Sequence, residues 1–113
     1  MICKARMLAI RNALDLLSGK WKLHILGTLL QAEKLRFMEL LREVDGIGSK
    51  MLSKELQDME MNHLIHRIVL NTKPASVEYK ATEFGKTLTP IIDEIAKWGA
   101  SYRTAIKENF SEK

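Results

Sequence analysis

Apolar residues recur along this chain at helical spacing, with one stretch in which they alternate instead. Leu8, Ala13, Leu14, Leu16 and Leu17 predict a first helix that ends near Ser18-Gly19. Trp21, Leu23, Ile25, Leu26, Leu29 and Leu30 keep the same period and predict a second, mostly buried helix. Phe37, Leu40, Leu41 and Val44 mark a short third helix. Asp45-Gly46-Ile47-Gly48 then breaks it, because two glycines within three residues punctuate a helix. Ser49 is expected to cap the next helix, its hydroxyl accepting a hydrogen bond from a free amide of the first turn.

That fourth helix carries Leu52, Leu56 and Met59 on one face and Lys50, Ser53, Lys54 and Gln57 on the other. After Asn62-His63 the pattern changes. Leu64 to Leu70 is rich in Ile, Val and Leu, a turn at 71–75 contains Lys73-Pro74, and Val77, Tyr79 and Ala81 alternate with Glu78 and Lys80. Two short runs around such a turn read as a β-hairpin. Thr82-Glu83 starts another helix, continued by Leu88, Ile91, Ile92, Ile95 and Trp98, with Pro90 either kinking it or opening a new one. Tyr102, Ile106 and Phe110 extend it or form a final helix. The expected fold is mainly α with a small antiparallel β-hairpin, one domain spanning 1–113. Apolar residues at both ends, Leu8, Trp98, Tyr102, Ile106 and Phe110, predict dimerisation through the terminal helices.

Composition narrows the function. The chain is 46% hydrophobic and 28% charged, as globular domains are, and no apolar run approaches the roughly 20 residues a membrane span needs. The first residues lack the apolar core and cleavage site of a secretory signal, and one cysteine, Cys3, forms no internal disulfide; both fit the cytoplasm. The net charge of +4 favours a polyanionic partner. Residues 1–22 hold Lys4, Arg6, Arg11, Lys20 and Lys22 against Asp15, and a second basic group, Arg67, Lys73 and Lys80, is opposed by Glu78 alone. Both groups are equally readable as ordinary solvated lysines and arginines.

A short helix, a glycine turn and a second helix with a small, polar and basic outer face make a helix-turn-helix, and the hairpin after it makes a wing. The major groove of duplex DNA admits such a helix. Ser49 and Ser53 are small enough for close approach, while Lys50, Lys54 and Gln57 can donate to bases or phosphates. Arg67, Lys73 and Lys80 can hold backbone phosphate from the wing or enter the minor groove. One feature opposes this reading. Residues 47–60 hold two lysines against Glu55, Asp58 and Glu60, so the flanking basic groups must supply the electrostatic attraction.

Gly19-Lys20-Trp21-Lys22-Leu23-His24-Ile25-Leu26 resembles the GKW-x-x-x-IL signature of HxlR-type winged-helix regulators, relatives of the MarR group. The resemblance continues through Arg36-Phe37-Met38-Glu39-Leu40, Gly46-Ile47 and Met51 to Glu60. It then runs through Val77-Glu78-Tyr79-Lys80-Ala81-Thr82-Glu83-Phe84-Gly85, Leu88, Pro90 and Trp98. It covers about residues 13–99. The resemblance implies a homodimer in which first and last helices pair and two recognition helices, about 49–60, enter successive major grooves of double-stranded DNA. It makes Arg36, Ser49, Lys50, Ser53 and Lys54 DNA-facing, sets the wing at about 71–76 on the backbone, and places Trp21, Phe37, Leu52, Leu56 and Tyr79 in the core. The alternative is a winged-helix protein-interaction module without base contacts.

Many members of that family carry a Cys-Pro pair before the first helix, in some an oxidant or electrophile sensor. Here Cys3 precedes Lys4, and the family position falls near Met7 or Leu8. A thiol just ahead of the basic residues Lys4 and Arg6 is a candidate reactive thiol, but an inert thiol at the chain end is the preferred reading. A small-molecule or redox effector is the further partner to consider, although no small-molecule pocket near Trp21, Met38 or Trp98 has a sequence signature. His63 and His66 are three apart without a cysteine or carboxylate cluster, so no metal is expected. Met38, Met51, Met59 and Met61 read as core filler rather than a soft binding surface. No nucleophile–base arrangement or phosphate-binding glycine loop appears, so neither enzyme nor cofactor is expected.

Overall fold

The computed structural model describes residues 1–109. Six helices and three strands follow in the order α1 (Lys4–Leu16), α2 (Lys22–Ala32), β1 (Lys34–Arg36), α3 (Phe37–Glu43), α4 (Ser49–Met61), β2 (Ile65–Leu70), β3 (Ser76–Ala81), α5 (Glu83–Lys86) and α6 (Thr89–Asn109). Ile25, Leu26 and Leu29 of α2, Leu40 and Val44 from α3, and Leu52, Leu56 and Met59 of α4 close on Ile65, Tyr79 and Ala81 of the sheet. Within each helix these residues lie adjacent or three to four positions apart, so one stripe per helix reaches the same core. Trp21 and Phe37 lie at its edge, partly buried, rather than inside it.

The sheet has three strands, not two. β1 pairs antiparallel with β3, giving the order β1-β3-β2. Its three residues, Lys-Leu-Arg, are too few to show a two-residue period, and pairing with β3 is what makes them a strand. The hairpin itself matches the expected one, with β2 and β3 in register from Ile65 opposite Ala81 to Leu70 opposite Ser76.

A second correction concerns the start of α4. Gly48, extended at φ −88° and ψ 160°, occupies the cap position, and no side chain caps the helix. Ser49 is already helical, so its hydroxyl lies one position too late to accept from the first-turn amides. In the preceding turn Gly46 adopts φ +88°, a conformation glycine reaches without steric cost, and the Trp21 ring lies 3.8 Å from where a side chain would begin.

α5 is locked to the sheet by its own cap. Thr82 Oγ1 accepts from the Gly85 amide at 2.8 Å and donates to the His63 carbonyl at 2.6 Å. Gly85 itself packs so closely that a Cβ would run into the Leu64 carbonyl oxygen. α6 starts afresh beyond Leu88, with Pro90 in its first turn, where a missing amide costs nothing. Among the described residues no helix is long and apolar enough to cross a membrane, and no group of three or more His, Cys, Asp or Glu is placed to hold a metal.

Candidate nucleic-acid interface

α3, the turn at 44–48 and α4 form the helix-turn-helix. Ser49, Lys50, Ser53, Lys54 and Gln57 are all exposed on α4, opposite the buried stripe of Leu52, Leu56 and Met59. This outer surface mixes short hydroxyls, two ammonium groups and one amide, a set that can approach a duplex and donate to it.

Two acidic residues of the helix, Glu55 and Asp58, are engaged by a lysine from another element. Glu55 is only 9% exposed, and Lys22, from the first turn of α2, is 7% exposed. The Lys22 ammonium lies 3.0 Å from Glu55 Oε2 and 3.2 Å from Asp58 Oδ2. It also donates to the Ser18 carbonyl at 3.4 Å. Burial pulls the Lys22 pKa down, but hydrogen bonds to Glu55 and Asp58 and the charges of both carboxylates outweigh it, so the net shift is upward and the ammonium stays charged. One of the three negative charges of the helix is thus offset internally: Glu55 is buried on Lys22, Asp58 shares the same ammonium with its side chain still half exposed, and Glu60 is exposed. Sequence reading missed this group because 33 positions separate Lys22 from Glu55.

Sheet register sorts the basic residues of the wing. Arg67 faces Tyr79 across β2 and β3, so it shares the face that looks towards the helices. Lys80 is opposite His66 and Lys34, and Arg36 is opposite Glu78, on the other face or its neighbouring row. The sequence group of Arg67, Lys73 and Lys80 is therefore divided between two faces. Lys73 is exposed in the turn between the strands. Arg36 stands at the junction of β1 and α3, where its backbone amide donates to Glu39 Oε1 at 2.9 Å. By strand alternation it lies on the opposite side of the sheet from Arg67, apart from the α4 group.

The terminal helices expose apolar side chains. On α6, Ile91, Ile95, Trp98 and Tyr102 follow one another at intervals of four, three and four, the spacing of a coiled-coil seam. Trp98 is 68% exposed, and its ring stacks on Tyr102 at 5.2 Å. Ile106 is partly buried, and Phe110 lies outside the described residues. α1 contains no buried residue, and Met7, Ile10 and Leu14 form its apolar stripe. Leu8 is exposed but projects roughly 120° away from that stripe at 100° per residue, among Lys4, Arg11 and Asp15. Cys3 is exposed immediately ahead of α1. The methionines also depart from expectation: Met59 alone of the four is core, whereas Met38, Met51 and Met61 are exposed because they fall off the buried stripes. An open groove of about 630 Å³ lies along α2 and is lined by Leu23, His24, Gly27, Thr28, Gln31 and Ile92 among others; Trp21, Met38 and Trp98 do not line it.

Helix-turn-helix, three-stranded sheet and wing together define a winged helix-turn-helix protein. The HxlR-like helix-turn-helix family matches residues 16–107, and the chain belongs to that family. It is 38% identical over 98 residues to the HTH-type transcriptional regulator YdzF of Bacillus subtilis (strain 168), covering 87% of this chain and 90% of YdzF. The reduced form of the redox regulator HypR superposes with a TM-score of 0.81 at 35% identity, over 88% of this chain and 98% of HypR. The reduced form of the transcriptional regulator YodB from B. subtilis superposes with a TM-score of 0.70 at 26% identity, over 100% and 99% of the two chains.

Proposed function

We propose that this chain is a transcriptional regulator that binds specific double-stranded DNA as a homodimer, working in the cytoplasm as one domain with terminal dimerisation helices. The observation that carries the proposal is the outer face of α4. Lys50, Ser53, Lys54 and Gln57 are exposed together, while Glu55 and Asp58 are drawn onto Lys22. With the Glu55 carboxylate buried and Asp58 held by the same ammonium, the repulsion this face offers to phosphate is reduced, and the face can lie in the major groove. The uncapped first turn of α4 leaves amides available to a phosphate, and Ser49 is small enough to let one approach. Arg67, on the helix side of the sheet, and Lys73, in the wing turn, add backbone contacts. Arg36, at the start of α3 on the other side of the sheet from Arg67, would reach the duplex backbone beyond this surface.

The exposed stripes of α1 and α6 support the dimer, with Trp98, Tyr102 and Ile106 on the last helix and Met7, Ile10 and Leu14 on the first; Leu8 projects away from the α1 stripe, and Phe110 lies outside the described residues. Two copies related by a two-fold axis present their α4 helices to half-sites one helical turn apart. The effector is small-molecule or redox in kind. The α2 groove is large enough for a small ligand, and Cys3 is the chain's one thiol. HypR, a structural neighbour, is a redox regulator.

Electrophoretic shift of the full chain on duplexes from its own upstream region, against random duplex at physiological salt, tests the proposal. A clear preference for one upstream sequence is expected. Equal binding to all duplexes overturns sequence-specific regulation. Repeating the shift with oxidised and reduced protein separates a redox effector, which changes affinity, from an inert thiol, which does not.

A further inference from the structure

We infer that Lys22 is a positioning residue for DNA recognition: it sets the angle between α4 and the α1–α2 corner, and thereby the spacing of the two α4 helices in the dimer. This rests on the dimeric, DNA-reading function proposed above. One buried ammonium joins three places in the fold. It bonds Glu55 and Asp58, one turn apart on α4, and the carbonyl of Ser18, two residues beyond the end of α1. All three donor directions of the ammonium have a partner.

The rest of the contact between α4 and the body is of another kind. Leu52, Leu56 and Met59 hold the helix by apolar burial, which is non-directional and allows a helix to roll or slide. On the Lys22 side the contact is made by ion pairs and polar side chains with Met61 beside them. A groove of about 460 Å³ opens there, lined by Ser18, Gly19, Lys54, Gln57 and Met61 beside the three charged residues. On that flank the ion pairs are the directional strut between the helix and the corner. A buried ion pair adds little net stability over an apolar set of the same shape, and its best-attested use is to select one arrangement among several. Because Ser18 lies two residues past the helix assigned to the dimer, an angle fixed at Lys22 becomes a distance between reading helices.

The test uses the full chain and an operator enriched by the wild-type protein from randomised duplex. Duplexes are then made with the enriched half-site spacing and with one base pair added or removed, a change of about 3.4 Å along the axis. The variants are K22M and the double variant K22M/E55M, which leaves no ion of the buried pair unmatched. Both are checked for folding by circular dichroism and for mass by sedimentation. We expect a folded variant to lose about tenfold in operator affinity, the size of one well-placed base contact, with random-duplex affinity changed by less than about twofold. Preference for the enriched spacing over its neighbours should flatten.

A folded variant that keeps the wild-type spacing preference overturns the inference. So does an equal loss on operator and random duplex, which would make Lys22 a general charge. If K22M alone fails to fold, K22M/E55M decides. If both fail, Lys22 is a stability residue and the positioning role is wrong. A wild-type chain that enriches no sequence overturns the regulator reading itself, and the positioning role falls with it.

Discussion

α4 and α6 are both amphipathic, but α4 buries its apolar side in the core whereas α6, partly covered only at Ile92, Ala105 and Ile106 among its described side chains, leaves its apolar side in solvent, so the exposed sides are opposite in character. α4 turns Lys50, Ser53, Lys54 and Gln57 outward and keeps its large apolar residues, Leu52, Leu56 and Met59, in the core. α6 leaves Ile91, Ile95, Trp98 and Tyr102 uncovered. A helical period alone therefore says that a helix has two sides but not what the second one meets. A short, basic, hydroxyl-bearing surface suits a hydrated polyanion. A row of large apolar side chains at coiled-coil spacing suits removal from water against a like surface.

The largest effect should come from breaking the α6 seam. Changing Ile95 and Trp98 to Asp places two charges in the proposed dimer interface, and we expect sedimentation to show a 12.9 kDa species in place of one of twice that mass. Losing bivalent attachment should cost operator affinity by roughly 10²–10⁴-fold. A variant that stays dimeric would show that the α6 stripe meets something other than a second copy.

Smaller changes separate reading from holding. Lys54→Ala on α4 should weaken operator binding by about 1–3 kcal/mol if the lysine makes a base contact, with little change on random duplex. Lys73→Ala in the wing turn should weaken both alike and lower the salt-dependence slope by about 1. Titration of affinity against salt for each variant on both duplexes distinguishes them. The reverse pattern would exchange the roles assigned to helix and wing.

The smallest effect concerns pH. The folded-state pKa of Lys22 is raised above the ordinary 10.5, so its ion pairs contribute their full stability below that value and lose it as pH rises through the folded pKa. Denaturant unfolding of wild type and K22M should therefore give a constant stability difference from neutral pH to about 10, narrowing above 10.5. A difference that stays unchanged above 10.5 would show that the charge of Lys22 adds no stability.

The α2, α3 and α4 helices, the hairpin and the outer face of α4 were legible because apolar side chains recur at 3.6 or 2 residues and because glycines stand where the chain turns. The family signature from Gly19 to Trp98 was equally legible, since it is a matter of residues in order. Leu8 was chosen as an exposed apolar residue, whereas the stripe on α1 runs through Met7, Ile10 and Leu14, a distinction that depends on where the helix begins. Met38, Met51 and Met61 were assigned to the core by residue type, which carries no direction.

What the sequence by itself determined is the set of local periods, the turn positions and the inventory of charges, because each is written in neighbouring residues. Only the tertiary structure decided that Lys34–Arg36 is a strand, that Arg67 and Lys80 leave the sheet on opposite faces, and that Lys22 meets Glu55 and Asp58. Each of these depends on residues far apart in the chain being brought to a few ångströms. No local pattern encodes such a distance; the folding of helices onto a shared core produces it.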